Sequence, residues 1–311
     1  MRMDWGRSAG VDPDGPTLEL PVVHLGSAVV GDPVVMLADG RIGRWRPGTT
    51  ELRQVARVPD AECADAWGAG TGDVLTVRLR PAILGRLRKV PTWGFDVARV
   101  GSTSVHWRRR AWLDEVVMID DDAIVALATY AKGIVCLDAT TGRWRWRSAL
   151  PATRVVGVVG ESMWCAIGDE LVAIDLATGA QTATLRIGLS SPTGTLDATG
   201  KLHVITQHYH RFDLANGARD ELMVVPVPRW QGLIRQSMLG PIEDGRVVAG
   251  TDRGDIFLID RGEVHHLRRG ARDETVFDLA VVGGHIHALV ASLAGPRGAV
   301  CDDSLEVFGA R

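Results

Sequence analysis

A strand–turn–strand phrase recurs along this chain of 311 residues, at a spacing of roughly forty residues. It reads Gly-Ile-Val-Cys-Leu-Asp-Ala-Thr-Thr-Gly-Arg-Trp-Arg-Trp from Gly133 to Trp146. It returns as Glu-Leu-Val-Ala-Ile-Asp-Leu-Ala-Thr-Gly from Glu170 to Gly179, and as Tyr-His-Arg-Phe-Asp-Leu-Ala-Asn-Gly from Tyr209 to Gly217. A weaker copy, Gly-Asp-Ile-Phe-Leu-Ile-Asp-Arg-Gly, spans Gly254 to Gly262. Each copy ends an apolar run with an aspartate that can cap backbone N–H groups, and a glycine follows that can take a left-handed conformation. Sheets repeated at this period are the mark of propeller blades. The expectation is an all-β chain folded as a single β-propeller.

The units divide into strands by their apolar runs and turn residues. The third reads Glu115–Ile119, Ala123–Thr129, Ile134–Asp138 and Arg143–Ser148. The fourth reads Val155–Val159, Met163–Ile167, Leu171–Leu176 and Gln181–Ile187. Looser units precede and follow, giving seven four-stranded blades, with six or eight as alternatives. The last unit lacks an outer strand. Thr17–Val23 is an extended apolar segment without a unit of its own, so it is expected to complete that blade and close the ring. Residues 1–16 read as a flexible, polar N-terminus and residues 17–311 as the propeller domain.

Composition narrows the function classes. The formal net charge is −3, so no global field draws the chain to nucleic acid or to an acidic membrane. The polar N-terminus has no apolar core of a secretory leader, and no apolar stretch is long enough for a membrane helix. The four cysteines lie far apart, with Cys136 and Cys165 inside apolar strands. They read as reduced, buried small side chains, and the cytoplasm is the expected compartment.

The phrases Val-Cys-Leu-Asp-Ala-Thr-Thr-Gly-Arg-Trp-Arg-Trp, Val-Ala-Ile-Asp-Leu-Ala-Thr-Gly and Phe-Asp-Leu-Ala-Asn-Gly resemble the repeat of PQQ-like β-propellers. The likeness covers about Asp114 to Arg268. It implies propeller architecture but no one activity, since the superfamily spans quinoprotein dehydrogenases, outer-membrane assembly lipoproteins, kinase sensor domains and cofactor-free scaffolds. The enzymes repeat a tryptophan at the end of the motif, where the rings lock neighbouring blades. Here Trp146 stands at that place, with Leu185 near the corresponding point of the next unit and Val224 or Val225 in the one after. The adjacent cysteines and acidic calcium site of the enzymes have no counterpart, so no cofactor is expected.

Other constellations are weak. His208 and His210 flank Tyr209, and His285 and His287 flank Ile286. Residues at i and i+2 share a strand face, but a mononuclear metal site needs a third ligand that spacing does not supply. Asp120-Asp121-Asp122 reads as an acidic hairpin turn rather than a calcium loop. Gly68 to Gly72 lacks the Lys-Ser/Thr ending of a phosphate loop, and no Gly-x-Ser-x-Gly elbow occurs.

Arginine–tryptophan clusters are the most unusual local feature. They include His106-Trp107-Arg108-Arg109-Arg110-Ala111-Trp112 and Arg143-Trp144-Arg145-Trp146-Arg147. Strict alternation would put Trp144 and Trp146 on one face and the three arginines on the other, and the simplest account is structural, with tryptophans wedged between blades and arginines solvated on an outer strand. An insertion from Arg80 to Trp93 mixes basic and apolar residues. Loops on rigid scaffolds often carry recognition, and arginine and tryptophan are enriched among interface hot spots. The candidate partner-binding residues are therefore Arg86, Arg88, Lys89, Trp93, Trp107, Arg108, Arg110 and Trp112. The expected role is a non-catalytic scaffold for protein–protein interaction in a multi-component bacterial system, ATPase-linked or defence-related by architectural analogy. The rival reading is a small-molecule binder or enzyme using the central channel.

Overall fold

The computed structural model describes residues 22–26, 32–46, 51–58, 63–68, 74–79, 95–101, 104–118, 122–128, 133–188, 193–197, 199–205, 208–215, 225–226, 239–242, 245–260, 263–270, 274–282, 285–292 and 303–309. All regular structure among them is strand, apart from isolated turns.

The first sheet runs β1 (Val22–Gly26), β2 (Val34–Leu37), β3 (Arg41–Trp45) and β4 (Leu52–Arg57), each beside the next. A seven-stranded sheet follows: β5 (Cys63–Trp67), β6 (Leu75–Leu79), β7 (Phe95–Val100), β8 (Val105–Met118), β9 (Ala123–Ala128), β10 (Gly133–Asp138) and β11 (Trp144–Ser148). Three four-stranded sheets come next. They are β12 (Arg154–Val159) to β13 (Ser162–Ile167), β14 (Glu170–Asp175) and β15 (Gln181–Arg186); β16 (Thr193–Leu196) to β17 (Lys201–Ile205), β18 (His208–Asp213) and β19 (Val225–Pro226); and β20 (Leu239–Ile242) to β21 (Arg246–Gly250), β22 (Ile256–Asp260) and β23 (Glu263–Arg268). The last sheet has β24 (Glu274–Val282), β25 (His285–Ser292) and β26 (Asp303–Gly309). Every pairing among the described strands is antiparallel between sequence neighbours.

The seven-stranded sheet arises because β8 is fourteen residues long and serves two units. Its first part pairs with β7, Arg99 opposite Trp107, and its last part pairs with β9, Met118 opposite Ile124. Leu113 sits at the handover, facing Phe95 on one side and Ala128 on the other. Apolar runs and turn residues predict one strand over Ser104–Ala111 and a new one from Glu115; the chain instead stays extended through Trp112 to Asp114. They predict no strand over Cys63–Trp67, where β5 supplies the edge of this sheet.

The N-terminal segment departs from expectation. Val22 pairs with Leu37 of β2, so β1 completes the first sheet rather than joining the last one. Residues 17–21 lie outside the described residues. The first and last sheets nonetheless meet. The Leu25 amide donates to Asp278 Oδ2 at 3.2 Å, and Trp45 meets His287 edge-on with centroids 6.3 Å apart.

Adjacent residues of one strand feed different cores, which explains the continuous apolar runs. Ile134 and Cys136 of β10 pack with Val155, Met163 and Cys165 of the next sheet. Val135 and Leu137, pointing the other way, pack with Val97 and Leu113. One sheet further on, Trp164 and Ala166 meet Leu202, Val204 and Phe212. Tyr209 and Ile205 then meet Val247 and Ala249, and Val248 and Leu258 meet Val276 and Ile286. The three four-stranded sheets from β12 to β23 are thus each sandwiched between the sheet before and the sheet after. Burying aliphatic side chains on both faces stabilises by about 1.5–3 kcal/mol per side chain.

Candidate functional site

Tryptophans late in one unit join it to the unit that follows. Trp146 of β11 is 8% exposed and donates its indole N–H to the carbonyl of Leu176 at 2.7 Å. Its ring lies on Gly179, where a Cβ would come within 2.5 Å of the six-membered ring. Gly179 has φ +73°, so the turn both needs and leaves room for a residue without a side chain. Trp107 of β8 repeats the arrangement. Its N–H donates to Ala139 at 2.7 Å and its ring lies on Gly142, φ +64°.

The receiving turns are built alike. Asp138 Oδ1 accepts from the amide and the hydroxyl of Thr141, both at 2.7 Å, and the Gly142 amide donates to the Asp138 carbonyl. Asp175 does the same with Thr178 and Gly179. The threonine hydroxyl, then the threonine amide, hold each carboxyl below the usual carboxylate range. In β15 the register places Ala183 opposite Ala173, as Trp146 stands opposite Cys136. Ala183, not Leu185, is therefore the position corresponding to Trp146, and this junction lacks the indole.

A register shift between Cys136 and Leu137 overturns the alternation expected in β11. Trp144 pairs with Leu137 and Trp146 with Cys136, so Arg145 is the extra residue. The two rings then belong to different cores, Trp144 towards Leu137 and Trp146 towards Cys136. Trp144 is half-buried and carries two guanidinium groups, Arg147 at 4.2 Å and Arg109 at 5.6 Å from its ring centre. Arg109 Nε also donates to the Gly142 carbonyl. Arg145 pairs with Asp138 Oδ2 at 3.2 Å. Arg143, Arg145 and Arg147 are exposed, as are His106 and Val105, the latter 59% exposed. β8 and β11 thus present a surface rich in arginine around one indole.

Of the candidate residues, Arg86, Arg88, Lys89 and Trp93 lie outside the described residues, as does the rest of the Arg80–Trp93 insertion. Trp107 and Arg108 lie on β8, both half-buried. Trp107 is engaged in the junction just described. Arg110 and Trp112 lie on the same strand. Residue-type reasoning missed Arg109, whose link to β11 depends on the Trp107 contact that brings β8 against the Asp138–Gly142 turn.

A polar network links β17 and β18 to the residue that follows β16. Asp197, His203 and Tyr209 are all buried. Tyr209 Oη and His203 Nδ1 are 2.6 Å apart, and His203 Nε2 and Asp197 Oδ2 are 2.9 Å apart. Asp197 Oδ1 accepts from the Thr199 amide and hydroxyl and from the Lys201 amide. Burial pushes the imidazole down, and Asp197 offsets this only in part. Burial also pushes Asp197 up, but the bonds from His203, Thr199 and Lys201 outweigh it and hold the carboxyl low. A neutral imidazole then donates from Nε2–H to Asp197 and accepts the Tyr209 O–H at Nδ1. This is the order of a nucleophile–base–acid relay, but His203 and Tyr209 are 0% exposed, so no substrate reaches the hydroxyl in this conformation. The network ties three strands together. His210 is buried beside Phe212, and His287 is 1% exposed beside Trp45. Among the described residues no three His, Cys, Asp or Glu side chains converge as metal ligands. No helix among them is long and apolar enough to cross a membrane.

No family model and no curated protein matches the chain. Solved structures do. BamB from Moraxella catarrhalis superposes with a TM-score of 0.53 at 14% identity, over 92% of this chain and 96% of that one. A chain of the mitotic checkpoint complex superposes with a TM-score of 0.64 at 12% identity, over 99% of this chain and 93% of its own. Together with the succession of antiparallel sheets, these likenesses define a β-propeller. At such identities they speak for the fold alone.

Proposed function

We propose that this propeller is a non-catalytic scaffold that binds other proteins as a subunit of a multi-component bacterial assembly in the cytoplasm. The observation that carries the reading is the arginine-rich surface around Trp144, displayed on an outer strand of a framework whose sheet faces are covered by neighbours. Rigid presentation lowers the ordering cost of binding. The fold is shared with a chain of a named multi-protein complex, which supports the same reading. Cys136 and Cys165 are buried thiols, as suits a reducing compartment.

The ring in this proposal has seven blades. β8 is counted twice, as the outer strand of the second blade and the inner strand of the third, and the last blade keeps three strands among the described residues. Closure is by side-to-side contact of the first and last sheets through Leu25, Asp278, Trp45 and His287. The Arg80–Trp93 insertion, with Arg86, Arg88, Lys89 and Trp93, is proposed as a second contact element on the strength of its composition.

The test is affinity purification of the tagged full chain from its native host. A protein partner recovered in constant ratio is expected, and recovery of the chain alone contradicts the scaffold role. Deleting residues 80–93 is expected to lower partner recovery with the melting temperature preserved; unchanged recovery removes the insertion from the proposal.

A further inference from the structure

We propose that the guanidinium–indole surface formed by β8 and β11 docks an acidic peptide segment of a partner protein. This deepens, and rests on, the scaffold reading above. The Trp107 contact brings the two strands together, and with them Arg109, Arg143, Arg145, Arg147 and His106. Among the described contacts this group meets the carboxylate of Asp138, which is engaged by Arg145 and by its own turn. Arg143 and Arg147 remain exposed. The patch is therefore cationic on a chain whose net charge is −3.

The arginines are also ordered. Arg109 and Arg147 both lie within cation–π reach of the Trp144 ring. Arg147, 4.2 Å from the ring centre, is held over the indole while its N–H donors stay available for a carboxylate. Exposed Val105, two residues before Trp107 on β8, puts an apolar contact on the strand that carries Arg109. A short segment with carboxylates and one apolar side chain complements this combination. A nucleic acid fits it less well. The cations gather at one junction of two strands instead of tracking along a groove, and the net negative chain does not attract a polyanion over distance.

Fluorescence polarisation on the full chain tests the proposal. The probes are a labelled peptide rich in Asp and Glu with one Leu, the same peptide with its acids replaced by Lys, and a single-stranded oligo-dT. The acidic peptide is expected to bind, the Lys peptide not to, and added salt to weaken binding. Arg143→Ala combined with Arg147→Ala is expected to weaken it at least tenfold, about 1.4 kcal/mol, with an unchanged melting temperature. Arg147→Lys, which keeps charge but loses the planar fork, is expected to fall between. Equal affinity of the double variant, failure of the acidic peptide to bind, or tighter binding of oligo-dT overturns the proposal. Purification from the native host separates the two readings. A partner held equally by wild type and double variant leaves the scaffold standing and overturns this surface, whereas no partner with either overturns the scaffold itself.

Discussion

The indole N–H of Trp146 lies 2.7 Å from the carbonyl oxygen of Leu176, a residue of the following sheet's turn. The same bond joins Trp107 of β8 to Ala139 in the β10–β11 turn, one unit earlier and within the seven-stranded sheet. In both cases the ring covers a left-handed glycine. A turn built from Asp, Thr and Gly thereby becomes a socket, and an outer-strand tryptophan becomes its plug.

Removing a plug is expected to cost more at Trp146, which is almost fully buried, than at half-buried Trp107. Trp146→Ala is expected to destabilise by about 3–5 kcal/mol, as for large core truncations. Trp146→Phe keeps a ring and loses the hydrogen bond, for about 1 kcal/mol. Urea denaturation of both variants checks this, and a Trp146→Ala loss no larger than that of Trp146→Phe contradicts the socket.

The sockets predict unequal glycines. Gly179→Ala combines a left-handed backbone with a collision against the Trp146 ring, whereas Gly168→Ala, φ +62°, has nothing within 4 Å of its new methyl. Gly168→Ala is expected to cost about 1–2 kcal/mol from backbone strain alone, and Gly179→Ala clearly more. Thermal melting of the two variants decides; equal losses remove the ring from the account.

Acid should loosen the buried His203 network before it loosens the turns. His203 is held neutral by burial, with its pKa below the ordinary value. As pH falls below about 6.5, the unfolded chain takes up a proton that folded His203 refuses, so stability declines. Asp197 adds a second loss, in the same direction, as pH falls below about 4. The melting temperature of wild type is expected to drop between pH 7 and pH 5 more steeply than that of His203→Gln. Parallel curves contradict the assignment of that slope to His203.

The paired turn caps act lower on the pH scale. Asp138 and Asp175 are held below the ordinary carboxylate range by Thr141 and Thr178, so their contribution is present above about pH 4 and lost on further acidification. Thr141→Val and Thr178→Val remove the hydroxyl donors and are expected to lower the melting temperature at pH 7, with a smaller difference from wild type at pH 3. A difference that grows at pH 3 speaks against the caps.

The middle of the fold was legible because its strands are apolar on both faces and its turns carry Asp and Gly at fixed offsets. β9, β10, β13 and β14 lie where the repeat places them. β5 was not legible, since Cys-Ala-Asp-Ala-Trp carries neither a β-branched residue nor a clean alternation. The long β8 hid behind its arginines, which read as a break between units. The bulge at Arg145 puts Trp144 and Trp146 on opposite faces, because a single extra residue shifts a period-two pattern. The socket of Trp107 lies in the next unit, and a contact between units has no local signal. The buried His203 network was equally silent. Its sign was a histidine alternating with apolar residues in Lys-Leu-His-Val-Ile, ahead of a tyrosine that drew notice only for its flanking histidines.

The most direct measurement of the central claim is the native mass of the tagged protein isolated gently from its host. A scaffold predicts a discrete assembly containing a second kind of polypeptide in fixed stoichiometry. Elution of this chain as a lone monomer, across growth conditions and at low salt, contradicts it.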